Sequence, residues 1–411
     1  MILYLKSPTP KNCISLTEQN IMNNLINKTA TMQALVLWDL GKFEVREVPK
    51  PQVGSHEILL RSSAVGVCGS DFHIFSGESN FNKDKYGQPI PLLQQPQILG
   101  HEIVGVVEEV GVEVQDLSVG DRVVLDQGLN CLSKKGKSLC EYCLTGDSHQ
   151  CEIYQEYGIT GLPGAFAEYL TVPAVNAIKI NSDLESVHAV LTEPLGCMIH
   201  SSDVVAKTRT RYKIGAEELE RRVQSILILG AGPGGLLFTQ YLRNILGYEG
   251  LILVSEPNAR KRELVKSFGA DVIDPQEVNI VEAVREKTNG RLVEYVIDAC
   301  GNGLIFKSIP SLIRKQATFL MYGYGHGGVD LSVLNNLQFI ETTLVCATGG
   351  SGKFNDQGRS LTYSQALRAL EEKQIDVSSL ITHRYHSLET IPQAFIHDHK
   401  LSDYIKGVMV L

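Results

Sequence analysis

Cys131, Cys140, Cys143 and Cys151 crowd into 21 residues of a polar, glycine-containing stretch. Four thiolates suit a tetrahedral zinc ion, and a shell closed by four protein ligands leaves no position for a substrate, so the chemistry on offer is structural. A second set is scattered. Cys68 stands in GVCGSDFH just after an apolar run, His101 and Glu102 open the run IVGVVEEV, and Glu193 stands in TEPLGC. One thiolate, one imidazole and one carboxylate would give zinc three protein ligands and leave a fourth position open, as a catalytic site requires. Singly, each has a plainer reading: Cys68 as a buried apolar side chain, His101 as a hydrogen-bonded core histidine, Glu193 as a charge at a helix N-terminus. They lie 33 and 92 residues apart, so spacing does not join them. His101 and Glu102 are neighbours, and adjacent residues of a strand point to opposite faces. The two therefore cannot be a simple matched pair; either a site uses at least one of them or both are ordinary surface residues.

A third pattern is GAGPGG, Gly230 to Gly235, which follows the apolar run SILIL and precedes LLFTQYLRNIL. In such a strand–turn–helix unit Gly230 permits the tight turn and Gly232 lets backbone approach a pyrophosphate. Gly235 allows close packing, and the phosphates sit at the helix N-terminus beside Pro233 and Gly234. The next strand, LILVSE, ends in Glu256, 26 residues past Gly230. A carboxylate there accepts from a ribose 2′-hydroxyl and repels a 2′-phosphate, which favours NAD over NADP. Arg260, Lys261 and Arg262 offer the opposite possibility, recognition of that phosphate, or else a solvated helix face.

The elements that must position these groups change character along the chain. Residues 1–31 show no clear hydrophobic periodicity and read as an appendage. From Met32 short β-type runs (QALVLW, EILLRSSAVGV, RVVL) alternate with Gly and Pro. Residues 79–97 read as a loop, and the charged stretch 207–222 as an exposed loop plus helix. From about residue 200, strand, glycine turn, long helix and strand succeed one another, the grammar of a parallel βαβ sheet. SQALRALEEK then reads as a helix and KGVMVL as a closing strand.

With 411 residues there is room for two domains. The net charge of −8 argues against nucleic acid or an anionic membrane as partner. No apolar run approaches the roughly 18 residues a membrane span needs, and the five apolar residues before Lys6 are too few for a signal-peptide core. Clustered cysteines without an export signal point to metal binding in a reducing compartment, the cytoplasm by default.

From Gly100 the chain resembles the zinc-containing medium-chain dehydrogenase/reductase family, particularly its sorbitol, threonine and sugar dehydrogenase branch. Gly100, His101, Glu102, Gly105, Gly111 and Val114 match that family's zinc signature, GVCGSD its first ligand segment and EPL its third. The resemblance spans about residues 32–411 and implies an α/β protein: a GroES-like β-rich catalytic domain with an inserted Rossmann domain, a doubly wound parallel sheet. The expected division is an extension at 1–31, catalytic domain at 32–200 with its cysteine lobe at 131–151, Rossmann domain at 201–347, and catalytic domain again at 348–411. By the same resemblance Cys68 and His101 are zinc ligands. Glu102 and Glu193 are both candidates for the remaining carboxylate role, whether binding metal or holding its water. Ser70 and His73 form a relay for the substrate proton. The cysteine lobe departs from the family spacing: eight residues, LSKKGKSL, separate Cys131 from Cys140 where the family has two, which puts Cys131 at issue.

These readings imply a zinc-dependent oxidoreductase with one catalytic and one structural zinc, passing a hydride from a secondary alcohol to NAD+. The small-molecule alcohol would be a polyol, sugar, cyclitol or 3-hydroxy amino acid, and the enzyme a homo-oligomer, dimer or tetramer. Two alternatives stay open: a zinc-free enoyl or quinone reductase of the same fold, and a non-catalytic NAD-binding protein.

Overall fold

The computed structural model describes residues 30–411. The expected N-terminal extension therefore lies outside the described residues except at its end, where Thr31 already begins the first strand.

Two sheets carry the chemistry. The first has seven strands, six of them in the order Ala177–Lys179, Arg122–Leu125, Glu102–Val110, Glu57–Gly66, Lys406–Val410 and Ile381–Tyr385, with Tyr169–Pro173 also paired to Glu57–Gly66. It is antiparallel except where the last two strands run parallel. The C-terminal strand enters beside Glu57–Gly66, with Val408 opposite Gly66, which itself faces Glu102 across the other edge. Residues far apart in sequence thus meet at the end of this sheet where Cys68 leaves its strand.

The second sheet is parallel and six-stranded: Asp271–Ile273, Leu251–Ser255, Ser225–Leu229, Val293–Asp298, Ile313–Met321 and Thr343–Cys346. Its central strands are buried throughout, as in a sheet covered on both faces. In chain order this is the doubly wound arrangement. Its topology reverses between Ser225–Leu229 and Val293–Asp298, and the crevice at their carboxyl ends is where such sheets bind ligands. Two apolar clusters bury opposite faces: Ile226 and Ile228 pack with Phe238 and Val254, while Leu227 and Leu229 pack with Phe306 and Phe319.

The strand, loop and C-terminal helix readings correspond to observed elements, but the helix expected within 207–222 is absent. The helix Thr192–Lys207 ends where it was to begin. The segment after it forms a turn closed by a Lys213–Arg222 bridge, with Arg222 donating to the carbonyls of Ala216 and Glu217. Residues 217–222 are all exposed, so no apolar face was available to dock a helix. The helix after the glycine turn, Pro233–Gln240, runs on into a π turn at Tyr241–Ile245.

Candidate active site

Cys68 leaves the strand Glu57–Gly66 and caps the helix Gly69–Ser76. Three residues on, the fully buried Asp71 turns back: Oδ2 accepts the Cys68 N–H at 2.8 Å and Oδ1 the Gly100 N–H at 3.4 Å. Gly100 has φ +93°, and a Cβ there would press on Val65 and Phe166 at 2.9 Å. Beyond this left-handed turn His101 precedes the strand and Glu102 begins it, so strand alternation does not govern the pair. Ligand atoms of Cys68, His101 and Glu102 all lie within 4.8 Å of one another.

Burial penalises charge on His101, but Asp71, whose Oδ1 lies 3.3 Å from Nδ1, and Cys68 outweigh it and hold the imidazole well above its ordinary range. Glu102 is completely buried; Oε1 accepts from Lys406 Nζ at 2.5 Å, and Oε2 has no partner. Nδ1 of His101 is turned toward Asp71 Oδ1, which leaves Nε2 as the nitrogen free to bind a metal. Buried polar atoms without partners are uncommon and ask for a reason. A cation shared by a thiolate, an imidazole and a carboxylate supplies one, so these residues fit zinc.

Glu193 stands apart from that group. It lies buried in the first turn of Thr192–Lys207, where Oε1 accepts from Gln127 Nε2 at 2.9 Å and from the Cys197 thiol at 3.1 Å. Burial raises its pKa, opposed by His101 and reinforced by Glu102, so its carboxylate senses the triad without joining it. Of the two glutamates, the geometry brings Glu102 to the thiol and imidazole. Ser70 Oγ lies 3.9 Å from Cys68 Sγ, and His73 pairs its Nδ1 with Glu78 Oε2 at 2.6 Å. Ser70 and His73 share a helix face at i, i+3 but are not hydrogen-bonded to each other.

The four lobe cysteines also converge, with ligand atoms within 4.8 Å; Cys131 Sγ is 3.6 Å from Cys151 Sγ and accepts the Cys140 N–H at 3.4 Å. Cys131 thus joins the other three because the long interval loops outward: residues 134–138 are exposed, and Gly136 N–H closes the loop on the Cys131 carbonyl at 2.9 Å. Backbone N–H groups of Cys143 and Glu152 pull the Cys140 thiol down to about 6. Burial pushes Cys143 up instead.

In the crevice of the parallel sheet Gly230 has φ +92°, and a Cβ on Gly235 would overlap the Gly230 carbonyl. Nothing lies near the position of a Cβ on Gly232, which leaves the turn open where a pyrophosphate would approach. Pro233 opens the helix, and a Cβ on Gly234 would meet the Tyr322 ring at 3.2 Å. Glu256 is buried at the end of its strand, Oε2 accepting the Ala231 N–H at 2.7 Å and Oε1 the Asn258 N–H at 2.9 Å. Among the basic residues Arg262 is engaged with the carbonyls of Glu256 and Pro257 and with Asp274 at 2.6 Å. Arg260 is exposed, 3.9 Å from Asp403.

Four residues of this region escaped sequence reasoning: Asp71, Gln127, Tyr322 and Lys406. Asp71 carried a signal, being three residues after a helix-capping Cys68. The others did not, since a lone Gln, Tyr or Lys beside an apolar run is unremarked until folding gives it a neighbour. Tyr322 comes directly after the strand Ile313–Met321, stacks edge-on against Phe238 with ring centroids 4.9 Å apart, and donates to the Pro194 carbonyl at 3.3 Å. It joins the glycine turn's helix to the helix that carries Glu193.

The family model for the alcohol dehydrogenase GroES-like domain matches residues 54–182, and that for zinc-binding dehydrogenase matches residues 233–372. An L-threonine 3-dehydrogenase of Pyrococcus abyssi is 31% identical over 86% of this chain and 90% of its own. A sorbitol dehydrogenase of Halalkalibacterium halodurans is 28% identical over 84% and 89%. Among solved structures, a protein of Sinorhizobium meliloti assigned as a zinc-binding dehydrogenase and bound to NADP superposes with TM-score 0.74. It is 26% identical and covers 93% of this chain and 100% of its own. With both halves of the fold matched and a relative at this identity along most of its length, the chain belongs to the zinc-dependent medium-chain dehydrogenase family.

Proposed function

We propose that this enzyme oxidises a secondary alcohol to a ketone, passing a hydride to NAD+ and releasing a proton. One observation carries the reading: Cys68, His101 and Glu102 bring their ligand atoms within 4.8 Å of one another, and Glu102 Oε2 has no partner there. Zinc, when bound there, supplies a Lewis acid that acidifies an alcohol hydroxyl. NAD+, when bound along Gly230–Gly235, supplies the hydride acceptor. The chain's own residues do the rest. Cys68, His101 and Glu102 hold the metal, and Asp71 orients the His101 ring from behind. Glu193 stands beside the triad, placed to hold a water or the substrate. Ser70 is placed to take the substrate proton and His73, paired with the 65% exposed Glu78, to release it to solvent, a bridging water or cofactor hydroxyl carrying it between the two. Cys131, Cys140, Cys143 and Cys151 hold a second, structural zinc.

Glu256 caps the ribose end of the crevice and favours NAD. Arg262 is occupied elsewhere, so only Arg260 and Lys261 are left to meet a 2′-phosphate. The substrate is a polyol, sugar, cyclitol or 3-hydroxy amino acid, of which the names of the sorbitol and L-threonine dehydrogenases support the first and the last. We also propose the division into 32–200, 201–347 and 348–411, the helix Thr192–Lys207 crossing the first boundary. Homo-oligomerisation is supported by the exposed Leu331, Leu334, Phe339 and Leu344 around the outermost parallel strand. Among the described residues no helix is long and apolar enough to cross a membrane. A cytoplasmic location is supported by the unpaired thiols of the lobe.

The test is NADH formation with threonine, sorbitol, aminocyclitols and sugars, before and after chelation of the metal. Activity that survives full removal of zinc, or no NAD+ reduction with any alcohol, would overturn the proposal.

A further inference from the structure

Gln127 is wholly buried immediately after Asp126, at the end of the strand Arg122–Leu125. Its amide nitrogen donates to Glu193 Oε1 and to Glu156 Oε1, both at 2.9 Å, and its oxygen accepts from Tyr363 at 2.5 Å. The orientation of the amide is set by chemistry. Ionised carboxylates only accept, so the NH2 end must face the two glutamates and the oxygen must face a hydroxyl. Tyr363 is fully buried on the helix Leu361–Glu371, and burial holds its hydroxyl protonated.

The surroundings leave this amide little freedom. Asn176 donates to the carbonyls of Asp126 and Gly128, at 2.8 and 2.9 Å, clamping the backbone on either side. Asp126 Oδ1 accepts from His149 Nε2 at 3.0 Å, while His149 Nδ1 accepts the Gly350 N–H at 3.0 Å. His149 lies between Cys143 and Cys151, so this anchor stands in the cysteine lobe. From there the chain of contacts closes: His149 N–H donates to Ser351 Oγ, and the Ser351 carbonyl accepts from Thr362, the neighbour of Tyr363.

We infer that Gln127 is a positioning residue of the metal centre: its amide, oriented by Tyr363 and anchored through Asp126 and His149 to the cysteine lobe, fixes the Glu193 carboxylate beside Cys68, His101 and Glu102. The inference rests on the reading of Glu193 as part of that centre. It also gives the lobe a mechanical task, since the segment it holds carries the side chain that aims Glu193.

The experiment uses the full chain with cobalt(II) at the catalytic site and zinc in the lobe, reading the visible cobalt spectrum, the metal dissociation constant and kcat. Groups packed directly around a metal's ligands typically govern about 10–100-fold in metal affinity or activity, the loss expected of Glu193→Gln and the upper bound for residues acting through Glu193. Gln127→Leu should lose up to that much and shift the cobalt bands. Tyr363→Phe, which deletes one oxygen and serves if the leucine variant does not fold, should shift the same bands with a smaller loss. Glu193→Gln separates the premise from the inference. If Glu193→Gln shifts the spectrum and neither Gln127→Leu nor Tyr363→Phe does, Gln127 is not a positioning residue. If Glu193→Gln itself leaves spectrum and affinity unchanged, the premise about Glu193 fails and the inference goes with it.

Discussion

Lys406→Met probes the charge behind the metal pocket. Lys406 is 3% exposed, Glu102 is fully buried, and they meet at 2.5 Å. An exposed ion pair would be worth about 0–1 kcal/mol. Removing one partner of a buried pair leaves a charge without compensation and costs about 3–5 kcal/mol, so that range applies to the metal-free protein. The methionine keeps the unbranched apolar stem and loses only the terminal ammonium position, so the change is chiefly one of charge. The lysine sets the sign with pH. Burial lowers its pKa, but Glu102 and its anionic neighbours outweigh this and raise it above the ordinary lysine value. A raised lysine contributes its stabilisation in full below that ordinary value and loses it as pH climbs through the folded one. The gap between wild type and variant should therefore stay constant through neutral pH and close only in strong alkali. The assay is urea unfolding of the metal-free proteins, monitored by fluorescence of Trp38. This is the chain's single tryptophan and lies on the strand Thr31–Asp39, outside the parallel sheet. The double variant Lys406→Met/Glu102→Gln removes both charges and should recover most of the loss. Zinc should stabilise Lys406→Met more than wild type, because the metal takes over the neutralisation of Glu102. A cost under about 1 kcal/mol, or a double variant no more stable than the single, would refute the reasoning.

Metal analysis should give two zinc per chain, and Cys143→Ser one at saturating metal, the remaining ion held more weakly than in the wild type because the lobe anchors Gln127 through His149 and Asp126; an unchanged affinity for that ion would show that the lobe has no hold on the catalytic site. Gly235→Ala forces a Cβ onto the Gly230 carbonyl and should cost about 1–3 kcal/mol of stability. NADH binding by fluorescence should weaken sharply while zinc content stays at two; unaltered NADH affinity would contradict the role given to the turn. Glu256→Ala removes the carboxylate proposed to accept from the ribose 2′-hydroxyl and to repel a 2′-phosphate. Hydrogen bonds to charged groups are worth about 1.5–3 kcal/mol, so KM for NAD+ should rise about ten- to a hundredfold, and that for NADP+ much less. Equal effects on the two cofactors would sink the argument for NAD.

Local signals were enough for much of this protein. SILILG-AGPGG-LLF carries its own logic, because a turn that must admit phosphate and pack a helix closely demands glycine where only glycine fits, and the open Gly232 and crowded Gly235 show both demands. The lobe was equally legible, since four thiols within 21 residues can meet without help from the rest of the fold. Even the eight-residue interval proved harmless, because its extra residues are exposed and Cys131 is still delivered to the cluster. The expectation of a helix at 207–222 failed because charge content is no substitute for an apolar stripe.

The metal pocket was different in kind. Residues 68 and 101 were nominated by type and by resemblance, but whether Glu102 or Glu193 joined them depended on the left-handed turn at Gly100, which frees His101 from the alternation of the strand. Lys406 and Gln127 reach the glutamates across 304 and 66 residues of sequence. Such pairings are made by strand order and helix docking, by the C-terminal strand entering beside Glu57–Gly66 and the helix of Tyr363 closing over Gln127, and no spacing rule encodes them. Sequence alone determined which chemical groups the protein owns and the two local turns that shape them. Tertiary structure decided which of those groups face one another out of water, because burial, charge compensation and orientation exist only once distant segments are packed together.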